Sequence, residues 1–79
     1  MSILEEIHFA LYHDGKLHAV TAIPYLFPIE NGMPACFDAK IDDKSIGDIK
    51  RNEHKWENEN ITDEELLSKI VSHICSKYR

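Results

Sequence analysis

The chain has 79 residues, 43% of them apolar and 29% charged, and a formal net charge of −5. That length makes one domain, residues 1–79, which buries roughly 60% of the surface its unfolded form exposes and therefore needs each of its large apolar residues. The acid excess argues against nucleic-acid binding, which depends on neutralising phosphates with Lys and Arg, and no apolar run is long enough to cross a bilayer. The acid is concentrated: four carboxylates fall in residues 1–35 and ten in 36–65, and the one basic pair, Lys50–Arg51, lies between Asp48 and Glu53.

Two β-prone runs, Glu6 to His13 and Lys16 to Ile23, flank Asp14-Gly15. Asp-Gly suits a type I′ turn, whose two central residues both need positive φ. Such a turn places Ile7 opposite Ala22, Phe9 opposite Val20 and Leu11 opposite His18. Ile7, Phe9, Leu11, Val20 and Ala22 then share one face, which is the core face. His8, Ala10, Tyr12, Leu17, Ala19 and Thr21 share the other, semi-polar face, as in a sheet covered on one side.

Ile23 to Ile29 is apolar but contains Pro24 and Pro28, so it is an edge strand or an extended loop and not a central strand. Asn31-Gly32 is a second turn signal. A third strand, Ala35 to Ile41, shows Phe37, Ala39 and Ile41 on one face. A turn centred on Asp43-Lys44 leads to a fourth, Ser45 to Lys50. There Ile46 and Ile49 break the period of two, and a bulge at Gly47 would bring Ile49 opposite Ala39. Arg51 to Asn60 is polar except for Trp56, which offers a core anchor on a short fifth strand.

The last element, about Thr62 to Lys77, is an amphipathic helix. Thr62-Asp63-Glu64-Glu65 reads as a capping box with Thr62 as the cap, and Ile61 with Leu66 as a hydrophobic staple. That cap also accounts for the sequon Asn60-Ile61-Thr62. Leu66, Leu67, Ile70, Val71, Ile74, Cys75 and Tyr78 form one stripe at helical period, and Lys77 and Arg79 lie at the negative end of the helix dipole. The expected fold is α+β: a four-stranded antiparallel meander, five-stranded if Trp56 adds a strand, with the helix on one face.

Motifs for chemistry are sparse. Two cysteines, Cys36 and Cys75, in a chain that starts without a signal peptide read as reduced, buried thiols in a cytoplasmic protein, and neither has the electropositive setting of a nucleophile. His13 and His18 fall near one turn on the core face, but no Cys or carboxylate is spaced to complete a tetrahedral metal site, so they read as partly exposed surface histidines. Asp38, Asp42, Asp43 and Asp48 make an acidic knot without calcium-loop spacing. No nucleotide or hydrolase motif occurs, so neither a cofactor nor an enzymatic activity is expected.

Tyr25-Leu26-Phe27 stands between prolines in a segment that cannot be a buried central strand. It either folds back over the open end of the small core or, with Met33, forms an exposed patch that docks a partner. The function expected is a non-enzymatic protein-interaction or regulatory domain, acting on a protein partner or on its own copy as a homodimer. One alternative is an inhibitor or immunity-type protein whose acidic face meets a basic surface. Another is a small enzyme or metal- or ligand-binding protein using His13, His18 or Asp42–Asp43.

Overall fold

The computed structural model describes residues 5–53 and 55–78; Arg79 lies outside them. The chain forms β1 (Ile7–His13), β2 (Lys16–Pro24), β3 (Ile29–Glu30), β4 (Met33–Pro34), β5 (Cys36–Ile41), β6 (Lys44–Asn52), β7 (Lys55–Glu57) and α1 (Glu64–Ser76). The main sheet has five antiparallel strands in the order β1-β2-β5-β6-β7, and β3-β4 is a separate two-stranded ribbon between β2 and β5. The α+β meander with a fifth strand at Trp56 and a closing helix is the architecture the turn signals and the helix pattern predict.

Paired αL residues set the hairpins. Asp14 and Gly15 take φ 52° and 75°, and Asn31 and Gly32 take 52° and 80°. The first of these turns gives the β1–β2 register read from the sequence, with Phe9 opposite Val20 and Ile7 opposite Ala22.

The β5–β6 turn differs from expectation. It is centred on Asp42-Asp43, at φ 51° and 66°, and Ile41 faces Lys44. Aspartate tolerates αL, so two in succession make a type I′ turn one residue earlier than the Asp43-Lys44 centre. A bulge follows: Lys40 faces Ser45 and Ala39 faces Gly47, leaving Ile46 as the extra residue, while Gly47 sits at φ 80°. Ile49 therefore lies opposite Phe37 rather than Ala39. Where β7 ends, asparagine amides continue its work on β6. Asn58 Nδ2 donates to the carbonyls of Ile46 and Asp48 at 2.9 and 3.0 Å, and Asn60 Nδ2 donates to that of Ile46 at 2.7 Å.

The core lies between the helix and the concave sheet face. Ile7, Leu11, Val20, Ala22, Phe37, Ala39 and Ile49 meet Ile70 and Ile74 of α1, all buried. Phe9, Ile41, Trp56, Leu66, Leu67, Val71 and Tyr78 pack half-buried around them. Phe37 carries Trp56 and Tyr78 at ring-centroid distances of 6.1 and 6.2 Å. A 13-residue helix is marginal alone. Burial of Ile70 and Ile74, each contributing about 1.5–3 kcal/mol, is what holds it.

The helix cap also differs from the sequence reading. Asp63, not Thr62, is the N-cap, with Oδ1 accepting from the amides of Glu65 at 3.0 Å and Leu66 at 3.3 Å. Both residues are strong capping types, and the choice falls to Asp63 because its second oxygen has a partner on β1, described below.

At Gly47 a Cβ would lie 3.3 Å from Asn60 Nδ2, in addition to the αL strain. Gly47→Ala is expected to cost about 1–3 kcal/mol in urea unfolding, whereas Gly15, with no neighbour within 4 Å of such a Cβ, should show the backbone strain alone.

Candidate functional site

The Pro24–Pro28 connection stays outside the core. Pro24 ends β2 opposite Phe37, the Tyr25 amide donates to the Cys36 carbonyl at 3.0 Å, and the Ala35 amide donates to the Pro28 carbonyl at 2.9 Å. Two prolines without amide hydrogens prevent a regular ladder across this stretch. Tyr25 is 40% exposed, Leu26 60% and Phe27 75%, with Ile29 beside them at 40%. The segment does not fold back over the core. Met33, the fourth candidate residue, is half-buried and packs against the core from β4.

Tyr25 is tethered by its phenol, which donates to Asp48 Oδ1. That bond, more than any desolvation, pushes the phenol up to about 12, with Asp38 and Asp48 also disfavouring a phenolate. Asp38 and Asp48 face each other across β5 and β6. Like charges opposed across strands are unfavourable, and a donated phenol proton offsets part of that repulsion. The acidic residues noted in the sequence thus split. Asp38 and Asp48 border the exposed aromatic segment, whereas Asp42 and Asp43 form a turn.

The histidines divide as well. His18 Nδ1 lies 2.7 Å from Asp42 Oδ2, and the Ala19 amide donates to Asp42 Oδ1 at 3.0 Å. These contacts, the His18 bond first, hold the Asp42 carboxyl below the usual carboxylate range and pin the β5–β6 turn to β2.

His13 is not a partly exposed surface residue: it is buried at 7% exposure between the end of β1 and the start of α1. Its Nε2 lies 2.7 Å from Asp63 Oδ2 and 3.5 Å from Asp14 Oδ2, and Lys69 Nζ lies 3.3 Å from its Nδ1. Lys69 also donates to the Tyr12 carbonyl at 3.0 Å. No sequence spacing linked His13 to Asp63, because the helix must first dock before the two meet.

Among the described residues, His13, Asp14 and Asp63 offer a metal three ligand atoms close together, and the His13–His18 pair is not such a group. Their hydrogen bonding opposes it. A lysine ammonium is only a donor, so Nδ1 accepts and Nε2 carries the proton toward Asp63. A cation at Nε2 would move that proton to Nδ1, head-on to the ammonium. The arrangement is a structural clasp between hairpin and helix.

Cys36 is buried, with its carbonyl accepting from the Tyr25 amide, and burial, then Asp48, pushes its thiol up, away from nucleophilic thiolate character. Cys75 is half-buried on α1, and both cysteines are free. No helix among the described residues is long and apolar enough to cross a membrane. Comparisons with family models, with curated proteins and with solved structures found no match.

Two outcomes test this geometry. Asp63 is lowered by its His13 bond first and by the Leu66 and Glu65 amides. A depressed carboxyl stabilises the fold fully above its ordinary value of 3.8 and loses that contribution as pH falls through its lowered one. Stability should therefore drop on acidification below pH 3.8, and Asp63→Asn and Asp42→Asn should each flatten that acid limb in urea midpoints. Separately, absorbance titration should show the Tyr25 phenolate forming near pH 12, and Asp48→Asn should return it toward the ordinary phenol range.

Proposed function

We propose that this protein is a non-enzymatic interaction domain that docks on another protein through Tyr25, Leu26, Phe27 and Ile29. The supporting observation is the exposure of four neighbouring large apolar side chains in a chain small enough to need all of its apolar surface. A ligand that covers them recovers burial the fold itself leaves unused. Tyr and Phe are effective anchors because they add area with few rotatable bonds.

The charge around the segment favours one class of partner. Asp38 and Asp48 lie beside Tyr25, and Glu30 is exposed on β3 next to Ile29. An apolar pocket rimmed with Lys or Arg matches that pattern, and rim charges of this kind speed association and exclude wrong partners more than they add affinity. This absorbs the inhibitor-type alternative, in which an acidic face meets a basic surface. The cytoplasmic setting fits two free cysteines.

The test is Tyr25→Ser with Phe27→Ser. The double variant should keep its circular dichroism spectrum and cooperative unfolding. Proteins captured by the wild type from its own cells, then purified, should bind the variant at least tenfold more weakly. Equal binding of such a partner to both forms would refute the patch.

A further inference from the structure

The edges of the main sheet are treated unequally. The β7 edge is three residues long and carries Lys55 and Glu57, both exposed. Short, charged edges resist strand addition. The β1 edge is seven residues, Ile-His-Phe-Ala-Leu-Tyr-His, without lysine, proline, acid or bulge. The two-residue turn makes His13–Lys16 the closing bonded pair, so Leu11, Phe9 and Ile7 direct their backbone groups to β2. His8, Ala10 and Tyr12 direct theirs outward. Lys69 takes the Tyr12 carbonyl, as this phase requires. Among the described residues the outward groups of His8 and Ala10 have no partner.

We infer that the β1 edge pairs with β1 of a second copy of this chain, antiparallel about a two-fold axis at Phe9. Charge and hydrogen bonding permit a second copy here and favour this register over those centred one or two residues later. The chain carries −5 overall, and β1 is a stretch where two copies meet without opposed carboxylates. Centred on Phe9, the pairing sets His8 opposite Ala10, Ile7 opposite Leu11 and Glu6 opposite Tyr12, and it needs only the free groups of His8 and Ala10. Centred on Ala10, it would set Glu6 against Asp14, two like charges. Centred on Leu11, it would need the Tyr12 carbonyl that Lys69 holds.

Phe9 is half-buried and stacks on His73 of α1 at 4.7 Å. Across the axis the two Phe9 rings cover each other's remaining exposed edge, an aromatic cross-strand pair. The two sheets then run on as one of ten strands, with both helices on the same face. The contact is a single pair of edge strands, so association is expected to be weak and concentration-dependent. It uses a surface separate from the Tyr25–Ile29 segment and stands or falls independently of it.

Sedimentation velocity of the full chain from micromolar to millimolar concentration reads the dimer directly, and amide exchange locates it. The expected result is a concentration-dependent dimer in which the His8 and Ala10 amides gain protection. Ala10→Pro removes an outward amide hydrogen and fixes φ on an edge strand, where proline is tolerated, and Ala10→Glu adds a carboxylate from each copy to the seam. Both should keep the monomer's circular dichroism spectrum and weaken dimerisation at least tenfold. The Tyr25→Ser, Phe27→Ser variant should dimerise normally. A wild type that stays monomeric throughout, a folded Ala10→Glu protein that dimerises as well as wild type, or a dimer lost with Tyr25 and Phe27 would each overturn the inference.

Discussion

The Asp63 carboxylate is used at both oxygens. One accepts the amides that open α1, and the other holds buried His13 at the end of β1. Among the described residues, Lys69 of the helix also reaches Tyr12 and the far side of the same imidazole. The isoleucines supply the driving force, because burial is strong but non-directional. The clasp supplies the direction, fixing where along β1 the helix begins and hence which turn of α1 lies over Leu11. Removing one member would leave a buried imidazole without its partner, which costs more than the bond itself contributes.

Much of this was legible in the sequence because the relevant signals are local. Asp-Gly and Asn-Gly state their own backbone geometry, and alternation then assigns the core face of β1 and β2. The errors came where two local solutions compete. Thr62 and Asp63 are both good caps, and Asp42-Asp43 and Asp43-Lys44 are both plausible turn centres. In each case contact with a distant histidine accompanies the aspartate solution: His13 with Asp63, His18 with Asp42. The same non-local pairing explains why His13 read as a surface residue. The polar run after Trp56 hid its role because side-chain amides there act as strand, and no propensity scale reads Asn58 as part of a ladder.

The candidate surfaces follow from what the fold leaves unsatisfied. Small domains have more boundary than core. Here the boundary includes an aromatic segment kept off the ladder by prolines and a strand whose outward amides face solvent. The first is a side-chain surface, bordered by acid. The second is a backbone surface, and Lys69 at Tyr12 limits how much of it is open.

The strand order has a consequence in time as well as space. Each strand of the main sheet pairs with the strand before it in that sheet, and tight turns close β1–β2 and β5–β6. Such pairings close short loops and form early and fast. The contact between α1 and β1 joins nearly opposite ends of the chain. Closing a loop of nearly the whole chain therefore makes helix docking the contact with the largest entropic cost in this fold.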